Sequence, residues 1–130
     1  MSLRITSKER NSGSFDIALD GRLDGATYKQ LEEILDPLLN GVAHSIQYDL
    51  ANLTYMSSMG LRVFLRTAKS LKAAGGKMAV TNVQPQIRKV FEIANALGPH
   101  ALFESVEEAD RYLDIMQKRE LAKKGRTPPG

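Results

Sequence analysis

The chain has 130 residues, 42% of them hydrophobic and 25% charged, which suits one domain whose single core covers roughly two thirds of the unfolded surface. It contains no cysteine, so disulfides, thiolate catalysis and cysteine-ligated metal are excluded, and no window approaches the roughly 18 apolar residues that a membrane span needs. The net charge of +3 is concentrated at one end: Lys118, Arg119, Lys123, Lys124 and Arg126 against Glu120 give residues 117–130 a charge of +4 and leave the remainder at −1. That distribution argues for a solvated basic tail rather than a nucleic-acid surface.

Two strands are predicted first, Leu3 to Lys8 and Ser14 to Leu19. Asn11-Ser12-Gly13 between them has the residue types of a tight reversal. In the second strand Phe15, Ile17 and Leu19 alternate with Asp16, Ala18 and Asp20, the period of a strand with one buried face. Gly21-Arg22-Leu23-Asp24-Gly25 is expected to end it. Asp24 would then cap a helix carrying Tyr28, Leu31, Leu35 and Leu38, which Pro37 should kink or stop. A third strand is predicted over His44 to Leu50, leading into Ser57-Ser58.

Leu61, Phe64, Leu65, Ala68 and Leu71 mark the next helix, ended by Gly75-Gly76. A strand over Met78 to Val83 follows, then a helix opened by Gln84-Pro85 with Ile87, Val90, Phe91, Ala94 and Leu97 on one face. A short strand is expected over Ala101 to Glu104. Ser105-Val106-Glu107-Glu108 has the spacing of a capping box for a last helix with Val106, Ala109, Leu113 and Met116.

Strands alternate with helices from His44 onward, so short right-handed crossovers should give a largely parallel sheet, made mixed by the opening hairpin. The fold class is therefore α/β, a single domain over residues 1–116 with about four helices, followed by a flexible tail over 117–130.

Most site chemistries find no support. His44 and His100 lie far apart with no ligand pattern around them, so no metal centre is expected. Ser57-Ser58-Met59-Gly60 is not the glycine-flanked elbow of a hydrolase, and no histidine is placed as its base. Gly75-Gly76-Lys77 precedes a strand, whereas phosphate loops precede a helix. Asp20 and Asp24 occupy turn positions favoured for backbone reasons. No catalytic residue and no cofactor is assigned.

Thr54-Tyr55-Met56-Ser57-Ser58-Met59-Gly60-Leu61 is the most informative stretch. It sets serine hydroxyls at a strand-to-helix junction, where unpaired N–H groups and the helix dipole favour an anion. That anion could be a phosphate on the serine or a carboxylate of a partner, or the serine could serve simply as an N-cap. Along the following helix, Arg62, Arg66 and Lys69 form a basic line, either a solvated face or a contact for acidic partner residues.

Three blocks together resemble the STAS domain family of anti-sigma factor antagonists and their relatives: Gly21-Arg22-Leu23-Asp24 with Thr27, the segment Leu53 to Leu61, and Gly75 to Val83 running on through Pro85, Val90 and Phe91. Within the middle block, Ser57 stands where the family signature has aspartate, and Met59 where serine or threonine is usual. The resemblance implies a cytoplasmic bacterial regulatory module without enzymatic activity, whose partner is an anti-sigma factor that is also a serine kinase. It implies Ser58 as phosphoacceptor, with Ser57 as the alternative. Arg22, Asp24, Ser57, Ser58, Met59, Gly60, Arg62, Arg66 and Lys69 are the expected partner-binding residues. A weak homodimer is compatible with it, while nucleic acid and direct membrane insertion are not expected. Two other readings are a cytoplasmic subunit of a lipid-transport ABC system, which Met59 favours and which needs no phosphorylation, and a nucleotide-binding STAS domain that cradles phosphate at the Ser58 helix start.

Overall fold

The computed structural model describes residues 2–97 and 105–124. Within them a four-stranded sheet is built from β1 (Leu3–Asn11), β2 (Ser14–Leu23), β3 (Ser45–Met56) and β4 (Lys77–Thr81), in the order β1-β2-β3-β4. β1 and β2 are antiparallel, as the Ser12-Gly13 reversal requires, and β2, β3 and β4 run parallel. The helices are α1 (Tyr28–Pro37), α2 (Ser58–Ala73), α3 (Pro85–Leu97) and α4 (Val106–Lys124). The mixed, largely parallel α/β sheet with four helices is the architecture that the hydrophobic periodicity implies.

Several boundaries differ from those expected, each for a physical reason. β2 does not stop at Leu19 but runs to Leu23, because β3 extends to Met56 and offers it a partner along that length. Register shifts between Ala18 and Asp20 and between Gly21 and Arg22 mark the extension. Broken alternation in Ala51-Asn52, both exposed, hid this second half of β3. Asp24 does not cap α1. Its carboxylate accepts from the Ala26 amide at 3.0 Å, closing a turn ahead of the helix, whose N-cap is Thr27. Pro37 does end α1, and the chain continues through a wider turn of the π type over Leu38–Val42.

β4 is shorter than expected and ends at Thr81. The strand expected over Ala101 to Glu104 lies outside the described residues. The last helix passes the boundary drawn at residue 116 and continues to Lys124.

Phe15, Ile17 and Leu19 of β2 and Ile46, Tyr48, Leu50, Leu53 and Met56 of β3 are buried. Onto them pack Leu31 and Leu35 of α1, Leu61, Phe64 and Leu71 of α2, Ile87 and Val90 of α3, and Leu113 of α4. Tyr48 stacks obliquely on Phe64 at 4.3 Å between centroids, and Phe64 meets Phe91 edge-on at 5.7 Å. Thr67 donates its hydroxyl proton to the Val63 carbonyl, so the Tyr48 hydroxyl, 3.1 Å away, donates to Thr67. Burial holds that phenol protonated well above its ordinary range. The result is a rigid platform of β3 and α2, with the Ser57-Ser58 junction at its C-terminal edge, where open parallel sheets place their sites.

Candidate functional site

The junction is tight because β3 passes into α2 with almost no loop. The Ser57 amide donates to the Leu23 carbonyl at 2.9 Å, tying the start of α2 to the end of β2. Gly60 is needed for that closeness, since a Cβ there would lie 2.7 Å from Leu23 Cγ and 3.0 Å from the Leu23 carbonyl oxygen. Ser57 is the N-cap: its backbone is extended and its hydroxyl oxygen accepts from the Gly60 amide at 3.3 Å, an arrangement worth about 1 kcal/mol.

Ser58 is the first helical residue, and its partner is remote. Both the Ser58 amide, at 2.9 Å, and the Ser58 hydroxyl, at 2.7 Å, donate to the same oxygen, Oδ1 of Asp110 on α4. The helix start thus holds the anion that its dipole and free donors demand, but neither a phosphate nor a partner's carboxylate; it is a carboxylate of the same chain. Hydrogen bonds to a charged acceptor of this kind contribute about 1.5–3 kcal/mol. Ser58 is completely buried and Ser57 is 4% exposed, whereas Asp110 remains half-buried.

A second side chain of α4 completes the edge. β4 accompanies β3 only from Ser45 to Asp49, so among the described residues no strand pairs Met56 on that side. The Gln117 amide takes its place. The Met56 N–H donates to Gln117 Oε1 at 3.0 Å, and Gln117 Nε2 donates to the Met56 carbonyl at 2.8 Å. Asp110 and Gln117, two helical turns apart, therefore clamp the residues on both sides of Ser57.

The Arg22–Asp24 turn flanks this edge. The Arg22 guanidinium lies 4.0 Å from the centre of the Tyr55 ring and 3.5 Å from the Asp24 carboxylate. Thr27 holds the turn by accepting from the Asp24 amide at 3.0 Å and donating to the Arg22 carbonyl at 2.8 Å. Burial raises the Tyr55 hydroxyl above its ordinary value, and the carboxylates of Asp114, Asp110 and Asp24 push the same way against the opposing pull of Arg22. The surroundings of the junction are thus acidic, with Arg22 already engaged by Asp24.

Of the residues expected in the site, Arg22, Asp24, Ser57, Ser58, half-buried Met59 and Gly60 come together at this edge. The basic line divides. Arg66 turns to α1, 2.8 Å from Glu32 and 3.5 Å from Asp36, so it staples two helices of the domain itself. Arg62 and Lys69 are exposed. Sequence reasoning missed Asp110, Gln117 and Tyr55. The available signal was two polar residues seven apart on the helical stripe that also carries the buried Leu113. Among the described residues no group of three or more histidines or carboxylates is arranged to hold a metal ion, and no helix is long and apolar enough to cross a membrane.

A sheet of this topology with a serine at the β3–α2 junction defines a class, and the comparisons agree. The model of the STAS domain family matches residues 6–109, and the chain belongs to that family. It is 33% identical over 93 residues to the anti-sigma-B factor antagonist of Staphylococcus aureus (strain NCTC 8325 / PS 47), covering 72% of this chain and 85% of that protein. Among solved structures it is similar to the anti-sigma factor antagonist SpoIIAA in its unphosphorylated form, with a TM-score of 0.65 and 26% identity over 74% of this chain and 84% of that one. The Bacillus cell fate determinant SpoIIAA in its phosphorylated form matches with a TM-score of 0.63 and 26% identity, over 74% and 86% of the two chains. Its homologues are thus anti-sigma factor antagonists, a family of regulatory binding proteins.

Proposed function

We propose that this chain is a cytoplasmic, non-enzymatic regulator of the anti-sigma factor antagonist kind, whose hold on an anti-sigma factor with serine-kinase activity is set by phosphorylation of Ser58. The observation that carries the reading is the convergence of the Ser58 hydroxyl and amide on one anion position at the start of α2. A phosphate brings a charge of about −1.5 to −2 and three acceptor oxygens. Free N–H groups at a helix start can hold it without loss of the fold.

The effect falls on the interface instead. The docking surface is the edge beside the buried Ser57 and Ser58, the Arg22–Asp24 turn and the outer face of α2 with Arg62 and Lys69, where half-buried Met59 supplies an apolar contact. Burying that dianion against a partner that offers it no cation costs several kcal/mol, and roughly 4 kcal/mol weakens binding about a thousandfold. Ser57, whose oxygen already accepts from the Gly60 amide, is the alternative acceptor.

Incubation with ATP and each anti-sigma serine kinase of the source organism, followed by peptide mass spectrometry, tests the assignment. One phosphate on Ser58 is expected, with partner binding retained in Ser58→Ala and lost in Ser58→Asp. No phosphate on the peptide, together with equal binding by both variants, would overturn it.

A further inference from the structure

We propose that α4 is a lid that shields the Ser58 hydroxyl, latched by Asp110 and Gln117, and that negative charge on Ser58 unlatches it. The proposal rests on the reading of Ser58 as the switch hydroxyl and adds how that hydroxyl is guarded.

Closure comes first. A kinase must reach a hydroxyl oxygen from outside and align it with the phosphate it transfers, yet Ser58 has no exposed surface and its proton is committed to Asp110 at 2.7 Å. In the closed arrangement the acceptor is withheld from a kinase, which reaches it only when α4 opens locally, and the partner that binds the unmodified chain meets α4 as part of its docking surface. The lid is held lightly in comparison with the platform beneath. Its buried apolar residues are Ala109 and Leu113, with Met116 partly buried against the core, whereas Tyr112, Ile115 and Leu121 are 44% to 50% exposed. The two latches are polar side chains, and Asp110 is open to water on one side. Elements with few buried apolar contacts are those that open locally below the global unfolding free energy.

The charge logic gives the lid its direction. One oxygen of Asp110 accepts both Ser58 donors. Phosphoryl transfer from ATP forms an O–P bond at Ser58 Oγ as the γ-phosphorus–bridging oxygen bond breaks and ADP leaves; the hydroxyl proton that Asp110 was accepting passes to the kinase's base, and a dianion is left against the carboxylate. One helix start then faces two anions. Asp114 and Asp24 add to the negative surroundings, as their effect on Tyr55 records, while Arg22 is paired with Asp24 and Lys118 with Asp114. The phosphate, covalently fixed, keeps the N–H groups, and Asp110 leaves with its helix. Gln117 shares the helical face of Asp110, so lifting that face also frees Met56. Asp110 and Gln117 both lie beyond residues 6–109, the segment matched by the STAS model.

Hydrogen–deuterium exchange of the full chain, read on peptides within 106–124, tests the lid in four forms: unmodified, phosphoserine installed at 58 by genetic encoding, Asp110→Asn, and Asp110→Asn with phosphoserine. Phosphoserine in the natural chain should speed exchange of α4 at least about tenfold, with peptides of β2 and the second half of α2 unchanged. In the Asp110→Asn background, where the second anion is absent, phosphoserine should add less than about threefold. Equal α4 protection with and without phosphate would overturn the proposal, as would a phosphate effect that persists undiminished in Asp110→Asn. The first comparison uses no substitution and stands even if Asp110→Asn fails to fold. Neither comparison uses a kinase or partner, so failure of the lid is distinct from failure of Ser58 as a kinase substrate.

Discussion

The two ends of α2 are closed in opposite ways. At its C-terminus the Ala74 amide donates to the Ser70 and Leu71 carbonyls, Gly75 to Lys72, and Gly76 to Leu71 at 2.7 Å, with Gly75 in the left-handed region at φ +81. Every partner is a near neighbour in the chain, and the corner forms whenever the helix forms. At its N-terminus Ser57 caps the Gly60 amide locally, but the Ser58 amide is satisfied from α4, 52 residues along the chain. An end closed by its own residues is a fixed corner; one closed from a distance can be opened without unfolding the helix it closes.

The hardest blow to the fixed corner is Gly76→Ala. A Cβ there would fall 2.0 Å from the His44 carbonyl oxygen, which accepts from the Lys77 amide at the start of β4. Backbone would have to part, with an expected loss of about 3–5 kcal/mol and a fall in Tm of roughly 10 °C or more by circular dichroism. Asp110→Ala attacks the other end. It leaves the Ser58 amide and hydroxyl without their acceptor, and a loss of about 1.5–3 kcal/mol in urea titration is expected. Amide exchange should rise in α4 and the first turn of α2 while the Gly75 end stays protected; uniform loosening of both ends would erase the distinction between them.

Gln117→Ala should cost about 1–2 kcal/mol in the same titration, because water reaching the edge can re-satisfy part of Met56 once α4 loosens. Arg66→Ala is the smallest. With the guanidinium side chain 48% exposed, its bridges to Glu32 and Asp36 should contribute less than about 1 kcal/mol. A larger loss would mean that α1, too, takes part in holding α2 in place.

What could be read in advance divides along the same line. Ser57 as cap, Gly60 and the apolar stripe of α2 are local features, and the junction was legible because strand, hydroxyl, glycine and helix follow one another within eight residues. Alternation in β2 and the glycine pair at 75–76 likewise marked the second strand and the end of α2. The second half of β3 was not legible, since Ala51 and Asn52 break the period and only pairing with β2 restores the strand. Asp110 and Gln117 were invisible for a related reason. On a helix rich in charge they look like solvent-facing residues, and nothing within their own turn reveals the unpaired amides of Ser58 and Met56 that they meet. Arg66 failed in the opposite direction: a regular basic line pointed outward to a partner, while its counter-charges sit on α1 of the same domain.

The most direct test is the affinity of the anti-sigma factor proposed as partner for the protein with Ser58 unmodified and with Ser58 phosphorylated, measured side by side by calorimetry. A phosphate that governs docking should weaken binding by at least about a hundredfold, equivalent to roughly 2.8 kcal/mol. Equal affinities for the two forms would contradict a switch at the start of α2.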